Sequence, residues 1–213
     1  MQLVIGNKNY SSWSLRPWLL LHANAIEFSE INESLHPQRV GKRLSQYSGS
    51  GKVPVLIDND TAIWDSLAIC EYISEQYLDG RGWPQEKHSR ALARSVCAEM
   101  HAGFYAIRNQ MPMNCRLTKK IELNAELRTE IDRIEEIWST YTGPAEDGSY
   151  SLFGEFGIAD CFFAPVALRF KSYGVVLTEK ARRYQQSILS HPSLCAWVAQ
   201  AGKETETLPQ NEV

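Results

Sequence analysis

The first third of the chain alternates short apolar runs with polar punctuation. Leu3-Val4-Ile5 is a strand cut off at once by Gly6-Asn7-Lys8-Asn9, and Ser14 to Ala23 then carries Leu and Trp at helical spacing. Glu27 to Ser34 is a weaker, partly polar strand, so the opening pattern predicts a strand, helix, strand unit. Pro37 to Tyr47 reads as a polar, exposed helix or helical loop ending in Ser48-Gly49-Ser50-Gly51. Val53-Pro54-Val55-Leu56-Ile57 and Thr61-Ala62-Ile63-Trp64 flank Asp58-Asn59-Asp60, turn formers that predict a hairpin, and Ser66 to Tyr77 follows as a helix.

The pattern then changes character. Two glycines and a proline in Asp79-Gly80-Arg81-Gly82-Trp83-Pro84 cannot continue a helix, which divides a first domain, residues 1–79, from a second, residues 85–213. Between residues 87 and 108, Leu92, Val96, Met100 and Phe104 recur every four positions; from 121 to 141, Leu127, Ile131, Ile134, Trp138 and Tyr141 recur by fours and threes. Each series is one apolar stripe of a helix. Gly143-Pro144 ends the second of these, Ile158 to Tyr173 is apolar enough for a central helix, and Glu179 to Leu189 and Pro192 to Ala201 supply two more. The tail from Lys203 to Val213 reads as frayed. The fold class is α/β followed by all-α: a βαβαββα domain and then an all-helical domain.

Composition narrows the function classes. A chain of 213 residues with 44% hydrophobic and 22% charged residues is long enough to bury a core and ordinary for a globular protein. The 22 Lys+Arg against 25 Asp+Glu leave a net charge of −3 with no block of one sign, which argues against a nucleic-acid partner. No uncharged apolar run approaches the roughly 18 residues of a membrane span, and the start lacks a signal-peptide pattern. The five cysteines are too widely spaced for CxxC redox or zinc pairs and read as reduced core thiols, so the cytoplasm is the expected compartment. The five histidines show no HxxxH spacing, and no metal is expected.

Four local motifs carry candidate chemistry. Tyr10-Ser11-Ser12-Trp13-Ser14-Leu15-Arg16-Pro17 puts a serine cluster at the mouth of the first helix, with Pro17 in the early turns where a missing N–H does little harm. Val53-Pro54 opens a strand, where proline removes a ladder donor and is avoided unless the bond is cis and the bend is functional. Asp65-Ser66 stands directly before a helix, where a carboxylate and free N–H groups can take up an amine and a carboxylate. Gly157-Ile158-Ala159-Asp160 resembles a capping box in which glycine replaces the hydroxyl, at a cost of about a few tenths of a kcal/mol.

In this order, on this element pattern, the motifs resemble glutathione transferases, and the resemblance covers essentially the whole chain. The N-terminal half is similar to their thioredoxin-like glutathione domain, and Ser11-Ser12-Trp13 is similar to the serine-type loop, nearest to the zeta-class pattern S-S-C-S-W-R. Trp13 stands where that pattern has cysteine, which counts against zeta-type isomerisation and against disulfide reduction, since serine forms no mixed disulfide. The resemblance implies a glutathione thiolate held by Ser11 or Ser12 together with the positive end of the helix. Lowering a thiol pKa from about 8.5 to about 6–7 is worth roughly 2–3 kcal/mol. It further implies a cis Val53-Pro54 bond, with the Val53 backbone pairing the cysteinyl part of glutathione, and Asp65 and Ser66 holding the γ-glutamyl end. Gln38, Arg39, Lys52 and Trp13 are further candidates for glutathione contact. An acceptor pocket is expected between Tyr10 and Trp13 and the helix carrying His101, Tyr105 and Arg108, suited to a small apolar electrophile. Glutathione is then a co-substrate, conjugation the leading activity and a homodimer the expected assembly. A glutathione-dependent isomerase or peroxidase, or a non-catalytic binding module on the same fold, are the alternatives.

Overall fold

The computed structural model describes residues 1–36, 43–146 and 148–212. Strand β1 (Gln2–Gly6) leads into helix α1 (Ser12–Ala23), then β2 (Ser29–Glu33), β3 (Val55–Asp58), β4 (Thr61–Trp64) and helix α2 (Ser66–Tyr77). The sheet has the order β2-β1-β3-β4, with β1 parallel to β2 and antiparallel to β3, which pairs antiparallel with β4. Leu3, Val4 and Ile5 of the central strand are fully buried, as a strand covered on both faces requires. This is the thioredoxin-like arrangement expected. The helix anticipated over residues 37–47 falls largely outside the described residues, as do Gln38 and Arg39.

After the linker come α3 (Lys87–Ala102), α4 (Tyr105–Gln110), α5 (Ala125–Tyr141), a short β5 (Thr142–Pro144) and β6 (Tyr150–Leu152), then α6 (Ile158–Ser172), α7 (Glu179–Ser190) and α8 (Pro192–Ala201). Helix α6 is buried along nearly its whole length and packs on α1, α3 and α7, so one continuous core runs through both domains. The Asp160 half of its capping box forms as expected: Asp160 accepts from the Gly157 N–H at 2.9 Å, and also from Leu152 N–H at 2.9 Å and the Tyr184 hydroxyl at 3.1 Å. The glycine at the cap has a packing reason. The Ile158 N–H donates to the Gly82 carbonyl at 2.9 Å, and a Cβ on Gly157 would lie 2.8 Å from that same oxygen.

The second domain is helical, as expected, with one short hairpin in which Thr142–Pro144 pairs antiparallel with Tyr150–Leu152. Two expectations need correction. The helix expected to run through 87–108 stops at Ala102: Gly103 caps it, Phe104 takes a left-handed φ of 59°, and Glu130 accepts from the Ala106 and Ile107 N–H groups at 3.1 and 2.8 Å to start α4. The C-terminal segment is not frayed. Leu208 is buried, Glu204 accepts from Lys8 N–H at 3.2 Å and Asn7 Nδ2 at 3.3 Å, and Glu212 accepts from the Tyr10 hydroxyl and from Asn114 at 3.1 Å.

Candidate functional site

A groove of about 430 Å³ opens where the first domain meets α3, and it brings together motifs that are far apart in sequence. Its lining includes Trp13 from the first turn of α1, Lys52 and the Val53-Pro54 pair ahead of β3, Asp65 and Ser66 at the start of α2, and His101 from α3. The Val53-Pro54 peptide bond is cis, as expected. Proline here removes no ladder donor, since β3 begins only at Val55.

Asp65 caps α2, accepting from the Leu67 N–H at 2.8 Å and the Ala68 N–H at 3.4 Å, in a backbone conformation with φ of 76°. Its other carboxylate oxygen lies 3.2 Å from His101 Nε2. Burial lowers the imidazole below its ordinary value, outweighing the attraction of Asp65, and Arg16 and Arg108 push in the same direction. The lowering favours the uncharged ring, in which Nε2–H donates to Asp65 and Nδ1 is a buried lone pair without a partner among the described residues. Ser66 is buried, and its hydroxyl accepts from Arg16 Nη1 at 3.4 Å.

The two candidate serines point in different directions. Ser11 is the N-cap of α1: its Oγ accepts from the Ser14 N–H at 3.4 Å and donates to Ser14 Oγ at 2.7 Å, which in turn accepts from the Gly6 N–H at 3.1 Å. Ser12 Oγ instead accepts from Arg169 Nη2 at 3.3 Å, toward the helical domain. Neither hydroxyl lines the groove, whose α1 wall is Trp13. The indole meets the His101 ring edge-on at 5.2 Å and carries the guanidinium groups of Arg16 and Arg108 at 4.1 and 4.7 Å from its centroid.

Of the acceptor-pocket candidates, only His101 lines the groove. Tyr10 is buried with its hydroxyl turned to Glu212 and Arg116, Tyr105 is exposed on the surface, and Arg108 borders a separate small cavity behind Trp13. That cavity also reveals two residues the sequence reading did not single out for chemistry, Arg16 and Arg169, both buried. The available signal was an arginine inside each of the two most apolar helical runs, Leu15 to Leu21 and Ile158 to Phe170. The cysteines lie elsewhere: Cys70, Cys97 and Cys161 are buried, with burial pushing each thiol up, while Cys195 is exposed.

Comparison with known proteins agrees with this geometry. Residues 10–76 match the family description "Glutathione S-transferase, N-terminal domain". The chain is 25% identical over 146 residues to a stringent starvation protein A homolog of Histophilus somni, covering 68% of this chain and 65% of that protein, so it spans less than two thirds of that relative's length. It is also 25% identical over 168 residues to glutathione S-transferase 1 of Dianthus caryophyllus, covering 78% of this chain and 75% of that one. Among solved structures, a glutathione transferase homolog from Burkholderia with bound glutathione superposes with a TM-score of 0.73 at 21% identity, over 95% of this chain and 98% of that chain. A zeta-class maleyl pyruvate isomerase superposes with a TM-score of 0.69 at 17% identity, over 98% and 100%. With the N-terminal motif set, the sheet order and the helical domain all in agreement, the chain has the glutathione transferase fold, and its residues 10–76 match the N-terminal domain of the glutathione S-transferase family.

Proposed function

We propose that this protein is a glutathione transferase in which the tripeptide lies in the groove between Val53 and Asp65, its sulfur directed to the mouth of α1. The observation that carries this reading is the convergence of the cis Val53-Pro54 bond, the Asp65-Ser66 cap and the first turn of α1 on one groove. The Val53 backbone pairs with the cysteinyl part, Asp65 accepts from the γ-glutamyl amine, and Ser66, with its hydroxyl and its own backbone N–H at the positive end of α2, takes its carboxylate. Lys52 adds an exposed positive charge at the rim.

Ser11 is the better placed of the two hydroxyls to hold the thiolate. The Ser11 and Ser14 hydroxyls can exchange donor and acceptor: once Ser14 donates to Ser11, the Ser11 hydrogen is free to turn to a sulfur. Ser12 instead faces Arg169 and the helical domain, away from the groove. The thiolate attacks an electrophilic carbon beside Trp13 and His101, displacing its leaving group and forming a thioether. Calorimetric titration with glutathione tests the donor site, with binding expected and no binding overturning it. In Ser11→Ala the bound thiol pKa, read from thiolate absorbance, rises by about 1 unit, equivalent to about 1.4 kcal/mol.

A second reading has its own observation. Both serine oxygens already have partners within the protein and Trp13 stands at the helix mouth, which favours a module that binds glutathione without turning it over. Tight binding with no conjugate formed across a panel of aryl halides and unsaturated acids supports that alternative.

A further inference from the structure

Asp65 serves more than the cap of α2. One carboxylate oxygen accepts from the Leu67 and Ala68 N–H groups at 2.8 and 3.4 Å, and the other faces His101 Nε2 at 3.2 Å. Of the roughly four acceptor positions on a carboxylate, about one is left for an incoming donor. The imidazole is in reach because α3 stops at Ala102, which places His101 in its last turn, on the wall of the groove. Their contact therefore crosses from the helical domain to the first domain at the point where the γ-glutamyl end is to be held.

The surroundings of the ring decide its charge. Trp13 of α1 meets it edge-on at 5.2 Å, and the Phe162 ring of α6 lies at 6.2 Å. The charged groups acting on it are Asp65 from α2, Arg16 from α1 and Arg108 from α4, one anion against two cations, and Lys52 is a further cation on the groove lining. Burial and the two arginines disfavour a proton, whereas Asp65 and the negative end of α3 favour one. Nδ1 has no partner among the described residues, so an imidazolium would carry an unbonded N–H there. The balance holds the imidazole below its ordinary value of 6.5.

The two forms of the ring treat an incoming ammonium group differently. The neutral ring leaves Asp65 its negative charge and one open acceptor position. The imidazolium offsets that charge and stands beside the place the ammonium must take. We propose that His101 is a positioning residue that gates the γ-glutamyl end of glutathione through Asp65, admitting the ammonium as the neutral ring and opposing it as imidazolium. This rests on the glutathione reading of the groove and adds to it a control by pH. Repulsion between unit charges about 6 Å apart at a partly exposed site is worth about fivefold to tenfold in affinity.

The test is calorimetry on the full chain with S-methylglutathione, which has no thiol to titrate, at about pH 7 and about pH 5. Ordinary α-carboxyl and α-amino groups, near about 3.5 and about 8, keep their charges over this range. The wild-type protein is expected to bind about fivefold more weakly at the lower pH, and His101→Gln to bind equally at both. The analogue with a glutaryl group in place of γ-glutamyl, which lacks the amine, should show no such loss in the wild type. A loss of the same size for that analogue, or in His101→Gln, overturns the proposal, because the titrating group then acts elsewhere. Wild-type affinity for S-methylglutathione that ignores pH overturns this proposal alone, whereas no binding at pH 7 overturns the groove reading and the proposal with it. Proton NMR gives a second measurement on the wild-type protein: the His101 Cε1–H signal, identified by its loss in His101→Gln, should titrate at lower pH when S-methylglutathione is bound. A midpoint unmoved at saturation also overturns the gate.

Discussion

Ser11 and Ser12 are neighbours in sequence, yet one hydroxyl belongs to the cap of α1 and the other to a buried guanidinium. Their substitutions should separate accordingly. Ser12→Ala is expected to leave the pKa of bound glutathione unchanged, whereas Ser11→Ala raises it; the same shift in both variants would remove the assignment. Asp160 offers a residue-scale prediction on stability. Burial pushes its carboxyl up to about 7 in spite of three donors to its oxygens. Between its unfolded value, about 3.9, and about 7, the folded state holds the extra proton, so this contribution is fully present at low pH and is lost as pH rises through about 7. The difference in melting temperature between wild type and Asp160→Asn should therefore shrink from about pH 4 to about pH 8. Asp160→Ala, which strands buried donors, should cost at least about 2 kcal/mol in denaturant unfolding.

At the scale of elements, two sites show how local sequence and distant partners share the work. Gly157 looks like a weak substitute for a hydroxyl cap, but its lack of a Cβ lets α6 start against the Gly82 carbonyl of the linker. Gly157→Ala should thus destabilise by about 1–3 kcal/mol, far more than a change of cap residue, because the contact is with backbone that cannot swing aside. The break between α3 and α4 depends on Glu130, which lies on α5 and caps α4 from outside. Glu130→Ala should cost about 1 kcal/mol and increase hydrogen exchange at Ala106 and Ile107, while a variant with unchanged exchange there would show that α4 needs no such cap. The apolar stripe through Phe104 is real in that Val96, Met100 and Phe104 are all buried. The periodicity carried no sign of the turn between them.

At the scale of the whole molecule, the C-terminal segment ties the loop after β1 to the helical domain. Glu204 holds Asn7 and Lys8, and Glu212 holds Tyr10 and Asn114, so the loop that leads into Ser11 is braced from behind. Ending the chain after Lys203 should lower the melting temperature and weaken glutathione binding together, even though no residue of the removed segment lines the groove. Unchanged binding in the shortened chain would restrict the segment to a stabilising role.

Alternating apolar runs, turn formers and caps determined the element order and the positions of Val53, Asp65 and Ser66, because each of those depends on residues within a few positions of one another; the thioredoxin-like sheet was implied by the family resemblance, since its central pairing joins Gln2 to Ile57. Tertiary structure decided which hydroxyl faces which partner, where α3 ends, how the tail is held, and that arginines from α1, α4 and α6 line one small cavity. Those depend on side chains brought together from 23 or more positions apart, such as Glu130 with Ile107, Arg16 with Ser66 or Ser12 with Arg169, and local pattern holds no record of such meetings.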